Sequence, residues 1–403
     1  MAKKRGAPRD APEEAAEKRR RVASVRNALP MVSAVAFAAL VACSRQEAFP
    51  EGSVSRRDIR LGTSLIAATQ TPYGQIFQTM EVPGSEAAVK MGIQHPHSFL
   101  WHVCKVSKCL SDLILRALEA SPSTPAAPWN LILYNDEVSP GNQLSFQNKR
   151  KLQAVYWTLL ELGSPALSEE EAWFEVLLAK SSQCKAVQGG ISGVIKHLIK
   201  SVFWGDPHNL ATAGLWLELF DGRAVQLWIK LGMVLADEAA LHSIFGCTGA
   251  SGLKSCPLCK NVYAVGNQRG IVEGHGRVLH SCCDASKIAL WTADGLSDAL
   301  SSLEREFLAR GKGAFEQLET ALGWRRHPGG VMGDPALRLS MNPVNALTFD
   351  WAHGIFVNGV FQKHAGLLIR WLRSKGPTGL DSLASSGCAV ARFCHRTGSK
   401  WGV

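Results

Sequence analysis

The chain has 403 residues, 46% of them hydrophobic and 19% charged, enough apolar matter to bury a sizeable core and to exclude bulk disorder. Its net charge is +10, and half of that excess sits in Met1 to Arg26, where nine Lys or Arg face four acids. The 11 cysteines are scattered and form no compact disulfide framework, so a reducing compartment is expected.

Residues 1–28 read as a disordered basic tail. Lys3-Lys4-Arg5 and Lys18-Arg19-Arg20-Arg21 are separated by a Pro, Ala and Glu spacer, the pattern of a bipartite nuclear-import signal or a nucleic-acid arm. A nuclear location follows as the expectation. Leu29 to Cys43 is apolar but falls short of the roughly 20 residues that span a bilayer, and reads as a buried or interfacial helix. No membrane partner and no small-molecule substrate is expected. Residues 29–120 read as mixed and mainly helical, with helical spacing of apolar positions from His97 to Leu118. Ser121-Pro-Ser-Thr-Pro-Ala-Ala-Pro128 reads as a linker and a domain boundary.

Past the linker, Trp129 to Asp136 predicts a strand, with Leu152 to Leu162 and Trp173 to Ala179 as the second and third. Ile191 to Phe203 predicts an amphipathic helix, and Leu215 to Ile229 a hairpin turning at Asp221-Gly222. Ala224 to Asp237 is a further apolar run, ending at the helix-like Glu238 to Phe245. The expected layout is a core over 129–245, a cysteine-bearing insertion over 246–340 and a last part over 341–403. The 12 Trp, Trp173, Trp204, Trp216 and Trp228 among them, sit in apolar runs and predict core packing. Only the surroundings of Trp324-Arg325-Arg326-His327 interleave aromatic and basic residues as base stacking requires.

Two strands end in acids, Asp136 and Asp237. Carboxylates so placed can share one Mg²⁺ or Mn²⁺, because hard cations take oxygen ligands, and that chemistry is metal-assisted phosphoryl transfer. The plainer account of either residue is a turn former or a helix N-cap. Cys256-Pro-Leu-Cys259 reads as half of a tetrahedral zinc site, with His280, Cys282 and Cys283 as the other half and His275 a weaker candidate. Ordinary buried thiols are the alternative. His102 with Cys104 and Cys109, and Cys388 with Cys394 and His395, lack such spacing and read as helix-face or tail residues.

The order Asn135-Asp136-Glu-Val-Ser-Pro-Gly-Asn142, then Leu235-Ala-Asp237-Glu with Gly249-Ala-Ser-Gly252 and Cys256-Pro-Leu-Cys259, then Phe349-Asp350-Trp-Ala-His353, resembles eukaryotic DDE transposases. Within them it is most similar to the CACTA-type group in the version expanded among transposon-derived proteins of dinoflagellates, over roughly Trp129 to Gly366. The resemblance implies an RNase H-like α/β fold with a zinc-knuckle insertion. It implies Asp136 and Asp237 as metal-binding acids, Cys256 and Cys259 as the knuckle, and Asp350 and His353 as an Asp-x-x-His pair. Two Mg²⁺ or Mn²⁺ ions would drive the chemistry, a Zn²⁺ would be structural, and DNA would be the partner, with homo-oligomers open. The family also needs a third carboxylate on a helix well past the Asp-x-x-His pair, whereas Ser374 to Val403 carries one acid, Asp381. Asp350 is then either a surrogate third acid or a helix N-cap. The expectation is a degenerate transposase domain that binds DNA without cutting it; the alternative is a non-enzymatic nuclear DNA-binding or interaction protein that keeps the fold and the zinc.

Overall fold

The computed structural model describes residues 69–139, 151–249, most of 252–350 and most of 364–371. The basic tail, the Leu29 to Cys43 run and the segment from 374 onward lie outside the described residues, so the expectations for them stand unchanged. The chain divides into two compact units, Met1–Leu235 with Ala239–Thr348, and Ala236–Glu238 with Phe349–Val403.

The first unit is mixed α/β. A short hairpin of β1 (Gln70–Thr71) and β2 (Gly74–Gln75) precedes β3 (Phe77–Val82), β4 (Val89–Gln94), β5 (Trp129–Val138), β6 (Leu152–Leu159) and β7 (Phe174–Lys180). Strands β8 (Leu215–Glu218) and β9 (Ala224–Leu227) form their own antiparallel pair, and β10 (Ile229–Ala236), β11 (Val262–Tyr263), β12 (Val278–Leu279) and β13 (Leu347–Phe349) follow. Seven of them make one sheet in the order β13-β10-β5-β6-β7-β4-β3.

The middle of that sheet is where the sequence is most apolar. Trp129, Leu131, Ile132 and Leu133 of β5 are all buried, as expected of a strand covered on both faces. Register Leu133↔Trp157↔Phe174 carries an aromatic row across β5, β6 and β7. The Trp157 ring lies 5.1 Å from Phe174 and 5.8 Å from Phe203. Phe203 arrives on the predicted amphipathic helix, α-helical over Gly190–His197 and π-helical over Leu198–Phe203. Val194, Ile195, Leu198, Ile199 and Val202 recur at helical spacing and are buried with it. Removing an aromatic ring from such a core costs roughly 3–5 kcal/mol.

Three expectations need correction. First, the described part of residues 29–120 is mixed: β1 to β4, strands that the helical reading left out, occupy Gln70 to Gln94, while helices Pro96–Val106 and Lys108–Ala120 fall where helical spacing predicts them. Phe77-Gln-Thr-Met-Glu-Val82 alternates with period two, burying Met80 and Val82, which is a strand's pattern. Second, β4 joins β7 through Ile93↔Leu177, so the sheet uses strands from both sides of Ser121 to Pro128 and that segment is no domain boundary. It is pinned instead: the Trp129 indole donates to the Ser121 carbonyl, and Ser123 Oγ donates to the Trp228 carbonyl. Third, the Ala224 to Asp237 run is two strands parted at Trp228, whose N–H donates to Ser123 Oγ and whose carbonyl accepts from Trp129 N–H. β9 therefore folds back on β8 while β10 enters the main sheet. The hairpin turn at Asp221-Gly222 and the helix Glu238–Phe245 are found as expected.

Trp129, Trp157 and Trp324 are fully buried, but Trp216 is 55% exposed and is not core. Trp324 is unavailable for stacking on bases, and Arg326 beside it pairs with Glu304 and lies over the Phe307 ring. No helix among the described residues is long and apolar enough to cross a membrane.

Candidate acid sites and cysteine knuckle

In the first unit, Asp136 lies near the end of β5, opposite Ala154 of β6, and is half-buried. Side chains two apart on a strand share a face, so Asp136 is on the side of Tyr134. Register Tyr134↔Tyr156↔Glu175 extends that face over three strands. Tyr134 stacks on Tyr156 at 6.2 Å and meets Trp173 edge-on at 6.0 Å. Burial pushes the Glu175 carboxyl up to about 7. Burial, then the charges of Glu175, Asp136 and Glu170, push the Tyr156 phenol up as well. Asp136 thus belongs to a half-buried acidic and aromatic face, and Glu175 is a member that sequence reasoning missed. Its only signal was an acid placed inside the apolar run Trp173 to Ala179.

Glu137 takes the opposite face by strand alternation. Burial alone would raise its pKa, but the Lys151 ammonium, Ser181 Oγ at 3.1 Å and Gln153 Nε2 at 3.1 Å outweigh that and hold it below the usual range. It borders a cavity of about 600 Å³ lined also by Ser181, Lys185, Gly189, Ser243 and His327. The backbone closes that region tightly: Gly189 has φ +87°, and a Cβ there would stand 2.5 Å from the Gly329 carbonyl carbon.

In the second unit, Asp237 directly follows the last residue of β10, and Asp350 directly follows the last residue of β13. The Asp350 N–H donates to the Ala236 carbonyl at 3.0 Å, so the two chain segments that carry these acids are hydrogen-bonded to each other. Both acids are half-buried. His353 lies outside the described residues.

The cysteine knuckle is organised without its expected second half, since His280, Cys282 and Cys283 also lie outside the described residues. Cys259 is buried, and its Sγ donates to Cys256 Sγ at 2.8 Å. That hydrogen bond and burial push its thiol pKa up. Lys260 N–H donates to the Ala289 carbonyl, Trp291 N–H to Leu258, and Asn261 bonds both Lys287 and Ala289, so the loop is held from the far side. Strands β11 and β12 pair just beyond it. Lys254 is buried here as well, its ammonium pushed down to about 8 by burial against the opposing influence of Cys259. Cys104 and Cys184 fit the plain account of buried thiols, since desolvation pushes them up to about 12 and about 11. Among the described residues no group of three or more His, Cys, Asp or Glu is placed to hold a metal.

Compared with protein-family models and with curated proteins, the chain matches none.

Proposed function

We propose that the chain is a transposon-derived DDE-type domain with an RNase H-like core, acting on DNA, that has kept binding and lost efficient cutting. The observation that carries the family reading is the strand order. Strands β5, β10 and β13 are consecutive neighbours in one sheet, Asp136 lies within the first, and the chain runs from the other two directly into Asp237 and Asp350. Three antiparallel strands, a helix and a returning strand that leads into an acid are what the resemblance calls for, and β5 to β7, the helix Gly190–His197 and β10 supply them.

In this reading Asp136 and Asp237 are the metal-binding acids and Asp350 is the candidate third. Mg²⁺ or Mn²⁺ bound there would polarise a phosphodiester and activate water or a DNA 3′-hydroxyl. The resemblance needs a third carboxylate on a helix past the Asp-x-x-His pair, and Ser374 to Val403 offers one acid, Asp381, to supply it. Binding rests on backbone electrostatics, to which the basic residues 1–28 would contribute, and should fall steeply with salt. The same segment would direct nuclear import. The test is a paired measurement on the purified chain, DNA affinity against salt and metal-dependent nicking of plasmid, with Asp237→Asn and Asp350→Asn alongside. A reporter fused to residues 1–28 that stayed cytoplasmic would contradict the nuclear assignment.

A further inference from the structure

Arg338 is a buried guanidinium with no carboxylate partner among the described residues. It is 6% exposed, and its hydrogen bonds run from Nε to the Met332 carbonyl at 3.0 Å and from Nη1 to Ser301 Oγ at 2.8 Å. These neutral acceptors satisfy donors but leave the unit charge, which is costly inside a protein until an anion meets it. Nearby acids are already taken. Glu304, the one described carboxylate on the same small cavity, pairs with Arg326, and Asp334, which caps the helix Pro335–Ser340 that carries Arg338, pairs with Lys200. Arg325 reaches this cavity from the neighbouring loop, exposed and likewise without an ion pair among the described residues. Three guanidiniums therefore face one carboxylate around a gap of about 10 Å³, room for a single water-sized atom.

We propose that Arg325 and Arg338 form a binding site for a phosphate group, one oxygen of which enters the gap while the rest stays at its mouth beside Arg325. A guanidinium presents N–H donors in a planar fork that matches the oxygens of a phosphate, so the pair favours this anion over chloride. The inner wall is held from several sides. Arg338 is tied to Met332 and to Ser301 of the helix Ala293–Ala309, and Asp334 Oδ1 accepts from the Ala336 and Leu337 N–H groups and fixes the helix that presents it. Gly333 on the same wall leaves no space for a side chain, since a Cβ there would stand 2.4 Å from the His327 carbonyl oxygen. The basic run Arg325-Arg326, which cannot serve base stacking beside a buried Trp324, gains a role in this way. The phosphate group is carried either by a small phosphate compound or by a nucleic-acid backbone, and only the second source rests on the DNA-binding reading above.

The experiment uses the full chain and inorganic phosphate as the probe, titrated by calorimetry in chloride at constant ionic strength. Wild type should bind phosphate in one saturable step. Arg325→Met, a change at the surface, should weaken it by about tenfold or more, as expected for a lost hydrogen bond to a charged group. Arg325→Lys should recover only part of the affinity, because an ammonium lacks the fork. Arg338→Met should remove the site, and should that variant fail to fold, Arg325→Met decides alone. A second arm separates the two sources by following affinity for a short DNA duplex against salt in wild type and Arg325→Met. A salt slope smaller by about one in the variant, with phosphate competing for the site, assigns it to a nucleic-acid backbone. Unchanged DNA binding beside lost phosphate binding assigns it to a small phosphate compound, and absent DNA binding would defeat the DNA reading while leaving this site in place. A wild type with no saturable phosphate binding, or equal phosphate affinity in wild type and Arg325→Met, would overturn the proposal.

Discussion

The backbone N–H of Asp350 lies 3.0 Å from the carbonyl oxygen of Ala236 and donates to it, joining the residue after β13 to the last residue of β10. The bond is made by the amide of Asp350, whatever residue stands at that position other than proline. Asp350→Asn keeps that amide, whereas Asp350→Pro removes the donor and should cost roughly 1 kcal/mol or more beyond the Asn variant. Denaturant melts of both variants check this, and equal losses would show that the side chain, not the amide, is the structural part.

Gly189 and Gly190 both have positive φ, +87° and +58°, yet only the first faces backbone: a Cβ on Gly189 meets Gly329 and Gly330, and one on Gly190 meets nothing within 4 Å. Gly190→Ala should therefore cost only the left-handed backbone term, about 1–2 kcal/mol. Gly189→Ala should cost clearly more, since the 327–330 loop must move away. Similar midpoints for the two variants would count against this packing.

Glu175 gives a pH signature. Its folded pKa, raised to about 7 by burial, lies above the unfolded value, so its contribution is present at low pH and is lost as pH rises through about 7. Glu175→Gln has no such loss. It should be equal to wild type near pH 4 and more stable by on the order of 2 kcal/mol at pH 8. Thermal melts at the two pH values decide, and an advantage that is the same at both would mean packing rather than ionisation.

His95 and His97 titrate in the opposite sense. Burial first, then nearby histidines, push His95 down to about 4 and His97 down to about 3, with the His97 Nε2 hydrogen bond to the His208 carbonyl opposing. Lowered folded pKa values favour the neutral rings, so this stability is complete above about pH 6.5 and fades as pH falls. Imidazole NMR shifts should show both rings neutral at pH 5.5, while exposed histidines are largely protonated. A His97 midpoint near 6.5 would contradict the buried placement.

The central strands were legible because their signals are local: unbroken apolar runs for β5 to β7, helical spacing for Gly190 to Phe203, Asp-Gly for the β8–β9 turn. Strands β3 and β4 were not, since the joining of β4 to β7 is a contact between residues more than 80 positions apart, as Ile93↔Leu177 shows. Trp228 parts two strands through bonds to Ser123 and Trp129, which no window around residue 228 contains. Of the candidate site, Asp136, Asp237 and Asp350 could be picked out by what precedes each of them. Glu175 and Lys254 could not, because an isolated charge in an apolar strand or in a Gly- and Ser-rich loop says nothing of its neighbours until the register or the loop path is known.

Whether the chain holds DNA without cutting it is read directly in one assay. The purified 403-residue chain is incubated with supercoiled plasmid in Mg²⁺ or Mn²⁺ while its affinity for the same DNA is followed from low to high salt. The predicted result is binding that weakens steeply with salt and survives Asp237→Asn, with no metal-dependent nicking. Nicking by wild type that Asp237→Asn abolishes would contradict it, and loss of the same nicking in Asp350→Asn would make Asp350 the third metal ligand of a working enzyme.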